Sequence, residues 1–457
     1  MHHANHWIAG KTIVPRAGLT GHRSARVAVI GGGIAGLSAA QELVRRGVEG
    51  IVVVEAHFCG AGASGRSSGF ITPASELQLG DLQRRFGDER ARQLWDAACG
   101  GCRAIEETIE RHGIECGYVA ADSLYVASDE RSFDVVQREH ETLRRLGYQS
   151  HLYDSSTLGQ VLGCDSYGGG VKFGPTFAIN SFDYVRGLAE HLEAAGVTIY
   201  EDSAAVSVNG NLVRTSEGAI RAESVFFCLD HKAADIRVGR SSTYHAQTFL
   251  TISEPLDDAI IASLFPEGPL LVWDTDLIYQ YYRLTKDRRL LVGGGLLSRT
   301  YAPASDDDAA VEKVIGYIRR RFPQLDGVEF ESWWQGLIGV TKDLLPLAGK
   351  AKGSNRHYFA LCAAGLPWSV LAAQSAVETA LDGGSHLSRF LRPDRSFTEL
   401  DLVQPLLRKP LTFALSHAYT KTFLKGDAHQ ISARKRVIAA LAAVAGAAAA
   451  LGKRRKR

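Results

Sequence analysis

The chain has 457 residues, 45% hydrophobic and 22% charged, enough length and apolar content for two or three domains with their own cores, which excludes global disorder. A net charge of +2 makes no field that would imply a nucleic-acid partner. Seven cysteines (Cys59, Cys99, Cys102, Cys116, Cys164, Cys228 and Cys362) lack metal-ligand spacing and fit reduced thiols in a cytoplasmic protein, so no metal site is expected.

Residues 1–23 read as an N-terminal arm. They contain no apolar run of the kind that forms a signal-peptide core, so export is not expected. His2, His3 and His6 have no Cys or carboxylate spaced alongside them, and the arm reads as solvated rather than metal-binding. Next come a β-branched run at 27–30, helical periodicity over 34–46 and a second buried-strand run at 51–54, together a β-α-β unit closed by Gly47. Gly31, Gly33 and Gly36 form G-x-G-x-x-G directly after the first strand. The first glycine permits a tight turn, the second lets the backbone approach a pyrophosphate, and the third lets helix and strand pack closely. The helix N-terminus attracts the phosphates, and Glu55 is placed to hydrogen-bond a ribose hydroxyl. FAD and NAD both suit this unit. The segment Gly60–Gly69, rich in glycine and hydroxyls, separates them, because its amides and hydroxyls extend the cradle toward a flavin; a plain linker is the alternative.

Helical periodicity continues from Leu79 to about His112 and contains Cys99 and Cys102 as a CxxC, but without the preceding strand of a thioredoxin-like redox site. Strands are expected at 123–127, 197–200, 204–208 and 224–228, with a helix over 183–195. Strand runs at 277–284 and 289–292, within the stretch from 244 to 334, suggest a mostly antiparallel sheet, with one helix over 307–321. Near the end, 357–363 reads as a strand, Gly365 as a turn, and Pro367 as the start of a helix to about Leu381, stopped by Gly383 and Gly384. A helix N-terminus aimed at a flavin would stabilise the charge that develops on reduction; simple packing is the alternative.

The passages VAVIGGGIAGLSAAQELVRRG, GASGRSSGF, GPTFAINSFDYVRGLAEHLEAAGV, YYRLTKDRRLLVGGG, GVTKDLLPLAG and YFALCAAGL, in this order and spacing, resemble the D-amino-acid oxidase-like family of FAD-dependent oxidoreductases, and within it the glycine oxidase, D-amino-acid dehydrogenase and gamma-glutamylputrescine oxidoreductase branch. The resemblance runs from about Arg26 to about Arg395. It implies an α/β protein with a discontinuous Rossmann-type FAD-binding domain and a second, α+β substrate domain built on an antiparallel sheet. The FAD domain would comprise 24–80, 166–236 and 335–400, with 81–165 an inserted segment on the substrate side and 237–334 the substrate domain. It also implies oxidation of a C–N bond of an amine or amino acid by hydride transfer to flavin N5, followed by hydrolysis of the imine, with oxygen or a quinone as electron acceptor. Cofactor contacts are expected from Gly31, Gly33, Ile34, Ala35 and Gly36, from Glu55 and Ala56, from Gly62, Ala63, Ser64, Arg66, Ser67 and Ser68, from Val206, and from Gly365 and Leu366.

Arg283, with Tyr281 on the same face of its strand, is the candidate substrate residue, because arginine pairs bidentately with carboxylates. An outward structural arginine is the alternative. Arg66 matches the arginine that the branch carries after GASG, near the flavin or on a phosphate. Lys342 and Asp343 fall in the motif before the last strand, as turn or catalytic residues. Trp333 and Trp334 are expected to pack between domains or to wall an aromatic pocket. Cys362 reads as a buried thiol. The chain departs from the family where Gly-His-Gly is common and Gly365-Leu366-Pro367-Trp368-Ser369 stands instead, which bears on the hydrogen bonds to the flavin edge.

A C-terminal extension over 401–432 leads to the tail, 433–457, an alanine-rich apolar run between basic clusters. The run is short for a membrane span, and it reads either as a helix on an anionic membrane surface or as a soluble helix. Two other functions remain open: a 2-hydroxy-acid dehydrogenase of the same fold with His231 or His245 as base, and a non-catalytic membrane-attached flavin-fold protein.

Overall fold

Helices on both faces of a sheet require strands that are apolar throughout, and Ile51–Val54 and the last four residues of Gly21–Ile30 are buried at every position. The computed structural model describes residues 1–234, 243–276, 279–295, 307–341 and 343–395. Lys342, the start of the strand expected at Leu277, and the segments 401–432 and 433–457 lie outside the described residues. Parallel pairing runs Thr198–Tyr200, Ile51–Val54, Gly21–Ile30, Gly218–Phe227 and His357–Leu361, with Leu347–Lys350 antiparallel to the last. Three stretches far apart in sequence therefore build one sheet. The Ile34–Arg45 helix of the fingerprint packs against Leu366–Asp382, and that helix packs in turn on Asp88–His112. Gly101 permits the latter contact, since a Cβ there would lie 2.4 Å from the carbonyl oxygen of Pro367.

The second sheet has nine strands, in the order His2–His3, Phe330–Thr341, Thr243–Pro255, Arg289–Gly295, Tyr281–Leu284, Leu270–Asp274, Asp122–Ala127, Gly169–Phe173 and His151–Asp154. Its pairing is antiparallel except at His2–His3 and between Leu270–Asp274 and Asp122–Ala127. Helix Asp307–Arg321 covers one face, over Phe249, Tyr282, Val292 and Trp333. The opposite face carries Leu250, Leu291 and Trp334. Strand alternation thus sends the two adjacent tryptophans to opposite sides.

Several expectations change. The N-terminal arm is docked, although most of it, including His2 and His3, stays exposed as expected: His2 and His3 pair with Ser332 and Trp333, and Trp7 is only 4% exposed against Trp334. The apolar indole provides the burial that the histidines do not. The strand expected at 204–208 is Ser207–Asn209, a hairpin partner of Leu212–Arg214, which leaves 204–206 irregular. Gly169–Phe173, expected with the FAD domain, lies in the nine-stranded sheet. The helical stretch from Leu79 breaks at Gly87, whose φ of 79° suits glycine, into Leu79–Phe86 and Asp88–His112. Cys99 and Cys102 lie on the second helix as free thiols, with burial pushing Cys99 up to about 11 and Cys102 well above its ordinary value. Thiols held protonated in this way are poor redox nucleophiles.

Asp343 is neither exposed in a turn nor in the cavity described below. Its Oδ1 accepts from Arg395 Nη2 at 2.8 Å, and its Oδ2 accepts from Arg395 Nε at 2.9 Å and Arg85 Nη2 at 3.1 Å. Burial opposes its charge, but Arg395 and Arg85 hold the carboxyl below its usual range. Asp343→Ala would strand two buried guanidinium groups and should lower the unfolding free energy by about 3–5 kcal/mol in urea melts. Because the folded-state pKa is depressed, this stabilisation is present above the ordinary carboxylate range and lost as pH falls through the depressed value. The gap between wild type and Asp343→Ala should therefore narrow in acid.

Candidate active site

The fingerprint turn is built by exclusion of side chains. A Cβ at Gly36 would lie 1.9 Å from the Gly31 carbonyl oxygen, and one at Gly31, where φ is 112°, would lie 2.3 Å from the Cys228 oxygen. At Gly33 a Cβ would sit 2.9 Å from Ser64 Oγ. The helix that follows has no N-cap side-chain bond and no acid in its first turn, so its N-terminus keeps a partial positive charge that a ligand anion can meet. Ser64, from the second glycine segment, accepts from Ile34 N at 3.0 Å. Glu55 closes the opposite wall, its Oε2 accepting from Gly32 N at 2.7 Å and its Oε1 from His57 N at 3.1 Å. Burial raises the Glu55 carboxyl above its ordinary value, and the two amides partly offset this.

These groups line a cavity of about 760 Å³. Gly31, Gly33, Ile34, Ala35, Glu55, Ala56, Gly62, Ala63, Ser64, Arg66, Ser67, Gly365 and Leu366 all lie on its wall, as does Cys362. Gly36 is behind the wall, in the strand–helix contact. Ser68 and Val206 are not on it: the Ser68 carbonyl is turned to Arg283, and Val206 is 59% exposed while Ala204 and Ala205 line the cavity in its place. At the far end, Gly365 (φ 97°) opens the Leu366–Asp382 helix, which also lacks a side-chain cap and a first-turn acid. Two open helix N-termini thus face one cavity. Trp368 anchors this turn by donating Nε1 to the Pro73 carbonyl at 2.9 Å.

Pattern reading missed Gln247 and Gln335, whose side chains are hydrogen-bonded across neighbouring strands at 2.8 Å, and Asp230, whose Oδ2 accepts from Gly339 N. No local motif marks residues brought together by strand pairing. It also missed the N-terminal strap. Asn5 donates Nδ2 to the Gly65 carbonyl and Trp7 donates Nε1 to the Ser67 carbonyl, each at 2.8 Å, so the arm holds the back of the second glycine loop. Arg66 is held from the other side, donating to the carbonyls of Ala61 and Gln335. His245 lies on the Thr243–Pro255 strand away from the cavity wall, and His231 lies in the short Asp230–Ala234 helix.

Arg283 does not face a substrate. It is 2% exposed, and Nε, Nη1 and Nη2 donate to the carbonyls of Ser68, Leu284 and Ile179 at 2.6, 3.0 and 2.8 Å. Burial lowers its pKa from the ordinary value. Three backbone acceptors from separate segments occupy the fork that the carboxylate role needs. Tyr281 is not on the cavity wall either; its ring lies against Phe70 at 5.9 Å.

The sequence profile of the FAD dependent oxidoreductase family (DAO) matches residues 26–379. The chain belongs to this family. It is similar to the probable oxidoreductase OrdL of Haemophilus influenzae, 30% identical over 391 residues that cover 81% of this chain and 86% of that one. It is also similar to gamma-glutamylputrescine oxidoreductase of Escherichia coli, 30% identical over 332 residues, 71% and 76% of the two chains. In fold it matches L-proline dehydrogenase from P. horikoshii (TM-score 0.68, 18% identity, 82% and 98% covered) and glycine oxidase from Geobacillus kaustophilus (TM-score 0.67, 18% identity, 82% and 99% covered). The cofactor of the family is FAD, and the glycine cradle, the two open helix N-termini and Glu55 fit it.

The family match begins at residue 26, so the strap lies outside it. Asn5→Ala combined with Trp7→Phe removes two hydrogen bonds to the glycine loop, each contributing about 0.5–1.5 kcal/mol, and should weaken FAD binding to apoprotein about tenfold in a fluorescence titration. Arg283→Met should lower the unfolding free energy by about 2–4 kcal/mol by leaving buried carbonyls unpaired, without changing any preference for carboxylate-bearing ligands.

Proposed function

We propose that this FAD-dependent oxidoreductase oxidises the C–N bond of an amine or amino acid, giving an imine that water hydrolyses to a carbonyl compound. Bound FAD supplies the two-electron acceptor that takes a hydride from the carbon bearing nitrogen. The chain's part is placement. Gly31, Gly33 and the Ile34–Arg45 helix N-terminus hold the pyrophosphate, Glu55 the ribose, and the Gly62–Ser67 loop with Arg66 fixes the path between them. The N-terminus of Leu366–Asp382 favours negative charge at the Gly365 end, where reduction would place it.

The observation that carries the reading is the lining of that end. Among the described residues it includes Gln247, Gln335, Leu337, Ile338, Gly365, Leu366 and Ser369, with Lys232 and with Asp230, whose carboxylate accepts from Gly339 N, and the one histidine on the cavity wall, His57, is away from it beside Glu55. An amine brings its own lone pair and needs no protein base to lose a hydride, whereas a 2-hydroxy acid must have its hydroxyl proton removed. The similarity to a gamma-glutamylputrescine oxidoreductase supports the same choice. The electron acceptor on this reading is oxygen or a quinone. No helix of the described residues is long and apolar enough to cross a membrane.

Anaerobic addition of amines, amino acids and 2-hydroxy acids to the flavin-loaded protein should bleach the visible flavin absorbance with members of the first two groups. Bleaching by hydroxy acids alone would overturn the proposal, and so would a flavin that none of them reduces. Re-oxidation by air or by a quinone analogue then separates oxidase from dehydrogenase.

A further inference from the structure

Beside the cavity lies a cluster that the cofactor does not use. Tyr125, Trp273 and Tyr281 stand in register on three neighbouring strands, Trp273 opposite both of the others. Phe70 meets Trp273 and Tyr281 edge-on at 6.4 and 5.9 Å, and Tyr279 lies 5.7 Å from Tyr281. Gly293 is glycine because Tyr281 lies across it, a Cβ there falling 2.2 Å from the ring. Into this group reaches Glu76, 8% exposed, whose Oε1 accepts from the Tyr279 hydroxyl at 2.8 Å.

The loop that carries Glu76 reaches the cavity: Ser75, its neighbour in the chain, has its Cβ 3.6 Å from the Cβ position of the cavity residue Gly365. A packed core would pair its polar atoms, yet Trp273 Nε1 has no partner although Trp273 is 6% exposed, and neither has Gln280 Oε1, just ahead of the adjacent strand.

We propose that Glu76 and the rings of Phe70, Trp273, Tyr279 and Tyr281 form the specificity subsite for a substrate's cationic nitrogen. Aromatic faces and a buried carboxylate both stabilise positive charge, and Gln280 Oε1 adds an acceptor. The nitrogen that is oxidised must offer a lone pair, so a nitrogen held as a cation by Glu76 is a different one. The substrate class is therefore an amine with a second, charged nitrogen. This rests on the amine reading of the neighbouring cavity.

The test uses the full, flavin-loaded chain and calorimetric titration with choline and its neutral isostere 3,3-dimethylbutan-1-ol. Neither result depends on turnover. Wild type should prefer choline about tenfold, and Glu76→Gln should lose the preference, while Tyr279→Phe, which keeps ring and carboxylate, retains it. Phe70→Leu, at a half-buried position, should weaken choline about threefold and leave the neutral ligand unchanged, which keeps the test open even if Glu76→Gln does not fold. Equal binding of the two ligands, binding of neither, or a preference that survives Glu76→Gln overturns the subsite. Flavin bleaching by amines alongside any of those results would leave the C–N reading standing alone; its absence would remove both.

Discussion

A side chain at position 36 would have to occupy the space of the Gly31 carbonyl, and this single exclusion sets the angle at which the first helix leaves the first strand. From it follow the direction of the helix N-terminus and the place where phosphates are attracted. The later chain is built to agree with that direction. Gly218–Phe227 runs in continuous register along Gly21–Ile30, and His357–Leu361 pairs alongside, so that the turn at Gly365 brings a second helix N-terminus to the same cavity. Backbone dipoles, together with Arg66 and Lys232 on the wall, give the site its positive character.

Arg283 ties the cofactor loop to the nine-stranded sheet. Its planar fork joins the carbonyls of Ser68 and Ile179 to its own strand of the nine-stranded sheet, while Trp7 lies over it with its ring centre 5.6 Å away. A buried guanidinium is costly unless every donor is engaged, and here the fork meets three carbonyl oxygens. The residue expected to bind a substrate carboxylate instead anchors the cofactor loop to the sheet on which Trp273 and Tyr281 of the proposed Glu76 subsite stand.

Much of the cofactor site was legible because its residues are close in sequence and chosen for backbone reasons. Gly31, Gly33, Glu55 and Ser64 fall within one β-α-β unit and its following loop, where spacing alone fixes geometry. The rest depended on pairing that spacing does not encode. Gln247 and Gln335 meet only because two strands run antiparallel in a particular register, and Ser68 reaches Arg283 through its carbonyl, which carries no residue-type signal. Arginine on a pocket-side strand suggested a ligand because composition does not reveal how many carbonyls surround a side chain. The arm was misread for a related reason: its histidines suggested solvent, whereas one tryptophan decides its docking.

That arm also imposes an order on assembly. Residues 2 and 3 are made long before the edge they pair with, Ser332 and Trp333. The glycine loop therefore lacks its rear support until the nine-stranded sheet is nearly complete. Any segment joined ahead of His2 would start at that same edge, so a change made there acts on the cofactor loop as well.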